Sequence, residues 1–243
     1  MASTYLQKNT ATATDAQKFT YSGWLKRGAG IDNAGYGDRF YIGYLDGNNR
    51  FYITFAGGDT IFMYAKTGGT EQLNWETNRK FRDPSAWYHI VVSADSTQGT
   101  QDDRLKLYVN GVQETSFIKG TSPGQNFSWG NQLAQSNNTL RISGDEGGNN
   151  LYDGSMANVE FVDGQQLTPA YFGSTDSTTG IWTPQASSTI SSYGTNGFKL
   201  KMDTATPGAD TSGNTNNFTV GGGTPTLTQG SPSNNWCTFN PLV

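Results

Sequence analysis

Two adjacent runs leave this chain few ways to fold. The first is Trp87-Tyr88-His89-Ile90-Val91-Val92-Ser93-Ala94-Asp95. After a charged loop comes Arg104-Leu105-Lys106-Leu107-Tyr108-Val109-Asn110-Gly111-Val112. Leu105, Leu107 and Val109 alternate with Arg104, Lys106 and Tyr108, a period of two that buries one face of a sheet. Asn110-Gly111 then supplies the two positive-φ residues that a type I′ turn needs, so the second run predicts a tight hairpin into Val112.

Further alternating runs predict strands over Tyr5–Gln7, Phe19–Arg27, Arg39–Leu45, Arg50–Phe55, Thr60–Ala65, Val112–Ile118, Thr139–Ser143 and Ser155–Val162. Turn residues separate them, which is the pattern of an antiparallel sandwich. In the hairpin across Asp46-Gly47-Asn48-Asn49, Phe40, Ile42 and Tyr44 are placed opposite Phe51, Ile53 and Phe55. Leu105, Val109, Val159 and Phe161 are assigned to the inner rows. Thr168-Pro169-Ala170-Tyr171-Phe172-Gly173 predicts one helical turn, with Thr168 as cap, Pro169 at the first helical position and Gly173 as its end.

Composition narrows the function. There are 31 Gly and only 15% charged residues, yet the 13% aromatics fall in the alternating runs, which argues for a core and against disorder. The net charge of −4 comes without a basic stripe, so non-specific nucleic-acid binding is not expected. The short cluster Arg79-Lys80-Phe81-Arg82 is followed by Asp83 and reads as a solvated loop. Cys237 stands alone, so no intrachain disulfide is possible. No apolar stretch is long enough to span a membrane, and Met1-Ala2-Ser3-Thr4-Tyr5-Leu6 lacks the pattern of a signal peptide. The expectation is a protein made in a cytoplasm, without membrane insertion.

A strand of the form W-Y-H-I-V-V, a charged loop and then L-x-L-Y-V-N-G resembles the laminin-G and pentraxin branch of the concanavalin A-like jelly rolls. The segment Tyr152–Leu167 adds to this, with Gly154, Met156, Val159, Phe161 and Leu167 at the glycine and apolar places of the family's closing motif. The resemblance implies an all-β fold, a concanavalin A-like antiparallel β-sandwich over residues 1–173, and binding or scaffolding more readily than catalysis.

Residues 174–243 form an extended C-terminal segment rich in Gly, Ser, Thr and Asn, with islands at Gly180–Pro184 and Gly197–Asp203. The second island predicts a strand packed on the sandwich, and the rest reads as extended chain. Three strings in the segment, Tyr193–Phe198, Asp210–Thr219 and Asn234–Leu242, resemble those of virion proteins of marine tailed phages, cyanophages among them. That resemblance implies a structural protein on the outside of a virion, as a tail-fibre component or a head decoration or fibre. Its partners would be other virion proteins and, beyond them, a host surface polysaccharide. Such appendages are symmetric, so a homo-oligomer or a multi-copy array is expected. The extension becomes the expected attachment segment, since so polar a chain stabilises little unless it lies on a partner.

Candidate chemistry is sparse. A glucanase needs two carboxylates on one strand face, about 5 Å apart for a retaining mechanism. Glu160 and Asp163 come nearest, but their spacing is wrong for one face; Glu160 reads as a solvent-face residue and Asp163 as part of a turn. His89 reads as a sheet residue and Cys237 as an inert thiol. The expectation is therefore no enzyme, with a polysaccharide-cleaving enzyme and a calcium-dependent lectin as the alternatives. The family resemblance implies calcium at a loop rim, for which Asp145, Glu146, Asn149 and Asp153 offer oxygens, with Asp102-Asp103 as a second pair; no other cofactor is expected. Sugar stacking needs exposed aromatics, and Tyr36, Trp75 and Trp129 sit in Gly- and Asn-rich surroundings. The alternative for these three is that they seal the ends of the sandwich.

Overall fold

The computed structural model describes residues 4–28, 38–133, 136, 138–144, 150–185, 189–203, 205–228 and 230–234. In chain order the strands are β1 (Tyr5–Asn9), β2 (Lys18–Arg27), β3 (Asp38–Leu45), β4 (Arg50–Ala56), β5 (Thr60–Thr67), β6 (Thr70–Thr77), β7 (Tyr88–Asp95) and β8 (Leu105–Val109). They continue with β9 (Val112–Glu114), β10 (Phe117–Lys119), β11 (Thr139–Ile142), β12 (Gly154–Asp163), β13 (Gly173–Thr175), β14 (Trp182–Pro184), β15 (Phe198–Leu200) and β16 (Thr219–Gly221). One sheet has the order β10-β6-β5-β4-β3-β11-β1-β16, the other β15-β12-β2-β7-β8-β9, and β13-β14 is a separate hairpin. Every ladder is antiparallel. This is the all-β sandwich that the alternating runs predict.

The core lies between the two sheets. Phe51, Ile53, Phe55, Ile61 and Met63 of the larger sheet meet Phe19, Tyr21, Ile90, Val92, Leu107 and Phe161 of the smaller. Each such side chain removed from water contributes roughly 1.5–3 kcal/mol. Aromatic contacts knit the layers, Phe19 meeting Phe51 edge-on at 5.6 Å and Tyr21 meeting Tyr41 at 4.5 Å. Leu105, Val109, Val159 and Phe161 are all buried, as expected of inner rows. Asn110 and Gly111 have φ of 50° and 81°, the turn that the Asn-Gly pair predicts. Gly154 has no room for a side chain, because a Cβ would lie 2.3 Å from the Lys26 carbonyl on the neighbouring strand.

Three details depart from the sequence reading. Val112–Ile118 is two strands, β9 in the smaller sheet and β10 in the larger. Between them Glu114 Oε1 accepts hydrogen bonds from the backbone N–H of Thr115 and Ser116, which turns the chain from one layer to the other. Thr70–Thr77 is an additional strand, β6. Finally, the β3–β4 register shifts between Arg39 and Tyr41, so Phe40 and Tyr41 are both buried and Ile42 pairs with Tyr52 rather than continuing the simple alternation.

The segment after residue 174 is woven into its own sandwich. β15 extends the smaller sheet beside β12, and β16 extends the larger beside β1. Phe198, Leu200 and Phe218 enter the core. The polar residues act as ties. The Asp210 carboxylate accepts from Lys199 N, Ser212 N, Ser212 Oγ and Asn216 N at 2.8–2.9 Å. The Asn214 and Asn216 amides donate to the Gly197 carbonyl at 3.0 and 2.8 Å. For the described residues the expectation that this segment needs a partner's surface to be stabilised is thus corrected: side chains such as Asp210, Asn214 and Asn216 satisfy its own backbone.

Residues 164–185 and 189–193 lie over the outer face of the smaller sheet. Leu167, Phe172 and Tyr193 pack with Val91 and Val162 as a second apolar cluster. Pro169–Tyr171 forms the helical turn predicted there, as a 3-10 turn.

Candidate functional site: the outer face of the larger sheet

Strand register sets one continuous row of residues across the larger sheet. Thr219, Gln7, Arg141, Ile42, Tyr52, Tyr64 and Asn74 are successive cross-strand partners. They alternate with the core residues Leu6, Leu140, Ile53 and Met63, so the row belongs to the outer face. A second row holds Arg39, Thr54, Phe62, Glu76 and Ile118.

Aromatic rings and guanidinium groups meet here. Tyr52 and Tyr64 stack at 5.4 Å, and Phe62 lies 6.1 Å from each. The Arg39 guanidinium sits 4.5 Å above the Tyr52 ring, and that of Arg50 sits 5.7 Å above Tyr64. Phe62 and Tyr64 are half-buried, whereas Tyr52 is almost fully buried.

At the β16 end a polar groove of about 400 Å³ is lined by Gln7, Asn9, Thr139, Asn217 and Thr219, with Lys8, Thr215 and Asn216 completing its wall. The Gln7 side chain takes no hydrogen bond among the described residues. Asn217 uses its oxygen to accept from Asp210 N at 2.9 Å, leaving its NH2 for other partners. Lys8 projects on the core side of β1; burial pulls its ammonium below the usual lysine value, and Asp210 and Asp163 oppose that shift.

The residues nominated from sequence fall elsewhere. Trp75 and Trp129 are each 1% exposed and have no face open to a sugar, which corrects the glycan assignment. Trp75 donates to Ser122 Oγ at 2.9 Å under Phe117 and Lys119. Trp129 packs on Phe19, Phe51 and Phe127 and leads into a one-turn helix, α1 (Gly130–Leu133), that closes one end of the sandwich. Tyr36, Asp145, Glu146, Asn149 and Cys237 lie outside the described residues. Asp153 is exposed, and its carbonyl accepts from Gly28 N at 2.5 Å. No group of three or more His, Cys, Asp or Glu side chains able to hold a metal occurs among the described residues. Asp102 and Asp103 are paired with Lys119 and Lys106 at 2.5 and 2.9 Å.

Glu160 is not on a solvent face. It lies beneath the Tyr193 hydroxyl at 2.5 Å and beside Lys199 at 3.2 Å, 4% exposed. Burial pushes its carboxyl up, with Lys199 opposing. The segment carrying Tyr193 folds back over β12, which the alternation of β12 alone does not reveal. Asp163 accepts from Thr14 N and from Asn196 N and Nδ2 at 3.0–3.1 Å, tying the N-terminal stretch to the extension.

His89 is completely buried against Trp24, ring centroids 4.7 Å apart. Its Nδ1 accepts from the Trp182 indole N–H at 2.9 Å. An indole nitrogen only donates, so the imidazole proton is on Nε2 and is given to Ser22 Oγ, also at 2.9 Å. Burial pulls the pKa down to about 3.

Sequence reasoning missed the outer-face residues. Tyr52, Phe62 and Tyr64 stand between core residues in β4 and β5, where a solvated face carries polar side chains; aromatics on both faces were the available signal.

Residues 1–171 match the Laminin_G_3 family, described as the concanavalin A-like lectin/glucanases superfamily. The chain belongs to that family. Solved structures similar to it include the native heptameric SAP-like pentraxin of Limulus polyphemus, at 14% identity and TM-score 0.44, covering 68% of this chain and 71% of that one. The enzymatically active domain of tailspike protein 2 of bacteriophage CBA120 matches at 15% and 0.39, over 70% of this chain and 25% of the tailspike chain. The Ruminococcus gnavus IT-sialidase CBM40 bound to α2,6-sialyllactose matches at 12% and 0.40, over 61% and 87%. The chain also spans about a third, 34%, of a botulinum neurotoxin type C chain. At such identities and scores these likenesses assign no activity or site to this chain. No protein of curated function matches the sequence.

Proposed function

We propose that the protein is a glycan-binding module carried on the outside of a phage particle, acting through the outer face of its larger sheet. One observation carries the glycan reading. Half-buried aromatic rings, Phe62 and Tyr64, share a sheet face with a groove of about 400 Å³ in which side-chain amides remain available. Sugars offer apolar C–H faces for rings and hydroxyl rims for amides, so the two halves suit one ligand. Gln7 and Tyr64 stand four strand spacings apart, about 19 Å, a length suited to an oligosaccharide rather than to one sugar.

Binding without bond cleavage is part of the proposal. In support, Glu160 and Asp163 are committed to Tyr193, Lys199, Thr14 and Asn196, and they stand on β12 of the other sheet. The virion placement, with other virion proteins as partners and many copies per particle, rests on the resemblance of the C-terminal strings.

A glycan array and affinity electrophoresis with the purified chain test the first part. Phe62→Ala is expected to weaken retention per folded molecule about tenfold, the worth of about 1–1.5 kcal/mol of ring contact, with a modest fall in melting temperature from its lost contacts with Tyr52 and Tyr64. Retention of no glycan, or equal retention by the variant, refutes the reading. Counting copies in purified particles tests the second part: hundreds indicate the head, about a dozen the tail, and none overturns the virion placement.

A further inference from the structure

Apart from Arg39, which lies over Tyr52, the arginines of this chain divide by their partners. Arg27, Arg79 and Arg82 face carboxylates, and Arg104 donates to the carbonyls of Gln98, Gly99 and Pro123. Arg141 and Arg50 have no carboxylate or carbonyl partner among the described residues. Arg141 is 8% exposed, and the Nε of each is sealed from solvent with no acceptor.

Both residues stand on the outer face of the larger sheet. Arg141 sits between Gln7 and Ile42 in the row that ends at Tyr64, next to the polar groove, and Arg50 lies over Tyr64 itself. The buried Nε of Arg141 forfeits its hydration without recovering a hydrogen bond, while its terminal nitrogens keep contact with solvent and have no protein acceptor among the described residues, so an uncharged residue would fold at least as well there and the outer edge of the guanidinium is open to a ligand. The described acids of β6 on this face do not resolve it. Glu71 and Glu76 are on β6, four strand spacings from Arg141, about 19 Å. They accept instead from Thr121, Asn74 and Thr60. Among the described residues no acceptor reaches the guanidinium of Arg141, which leaves its terminal nitrogens for a ligand.

We infer that the ligand of this face is an acidic glycan whose carboxylate is received by Arg141, with Arg50 flanking the ring-stacking end. The inference rests on the glycan-binding reading and adds the class of sugar. A carboxylate fits because its two oxygens match the planar fork of a guanidinium, which a hydroxyl does not.

The test titrates the whole chain with a panel of carboxylated oligosaccharides, uronates and nonulosonates, and with the methyl ester of each. Esterification keeps the sugar and removes the charge. At least one acid is expected to bind tenfold or more tighter than its ester. Arg141→Gln should abolish that ratio with a melting temperature no lower than that of wild type, and Arg141→Lys should restore only part of it. Acid and ester binding equally, or Arg141→Gln preserving the ratio, overturns the inference while glycan binding stands. Equal binding of a sulfated polymer in wild type and Arg141→Gln points to diffuse charge attraction and also overturns it. If neither these sugars nor any neutral glycan binds, the functional proposal itself falls.

Discussion

Loss of stability between about pH 6.5 and pH 5 should trace to one imidazole. His89 is the only histidine in the chain, and its pKa falls from 6.5 to about 3 on folding because burial excludes the charged form. Between those two values the unfolded chain holds a proton that the folded chain does not, so stability rises with pH across the window. It is complete above about pH 6.5 and is lost progressively toward pH 3. Each unit is worth about 1.4 kcal/mol, which gives a loss of about 2 kcal/mol at pH 5 and about 4 kcal/mol at pH 3. Glu160 acts in the opposite sense, since its carboxyl is raised, so wild type has to be compared with a variant that keeps Glu160. In His89→Gln the amide can still accept from Trp182 and donate to Ser22 but cannot titrate. The variant should be somewhat less stable at pH 7.5 and should lack the His89 slope. Urea unfolding followed by tryptophan fluorescence from pH 7.5 to pH 5 measures both curves. Parallel slopes would refute the burial argument.

Other expectations concern the ties and the seals. Asn196→Ala removes a side chain that accepts from Ala11 N at 2.7 Å and donates to Asp163 at 3.0 Å; a loss of about 2–4 kcal/mol and earlier proteolysis after residue 196 should follow. Trp129→Ala should cost about 3–5 kcal/mol by opening the end of the core, with glycan affinity per folded molecule unchanged in calorimetry. At Gly111, φ is +81° and a Cβ would lie 2.6 Å from the Trp182 ring. Gly111→Val should therefore lower the melting temperature and shift tryptophan emission as Trp182 is displaced.

Local chemistry was legible in the sequence; long-range placement was not. The hairpin at Asn110-Gly111 and the inner rows of β8 and β12 followed from period and turn residues alone. The split at Thr115-Ser116 did not, because Val112, Phe117 and Ile118 suit either sheet. Trp75 and Trp129 have turn-rich neighbours, yet packing rather than local composition decides their exposure. Asp210, Asn214 and Asn216 read as low-complexity coil because, beside the local bonds of Asp210 to Ser212 and Asn216, the groups they bind at residues 194–199 lie outside the loop in sequence. Arg141 gives no signal either: a charge alternating with Leu140 and Ile142 is what any outward position shows, and only the absence of a partner sets it apart.

The sheet order has a consequence for synthesis. β1 is flanked by β11 and β16, and β12 by β2 and β15, so the first strand made waits for one of the last. The emerging polypeptide cannot complete the smaller layer until residue 200, or the larger until about residue 221, has left the ribosome. Until then two unguarded strand margins are presented to every other nascent chain nearby, and such late, distant pairings fold slowly. A fragment cut at residue 173 would keep those margins permanently and should clump rather than stay dispersed.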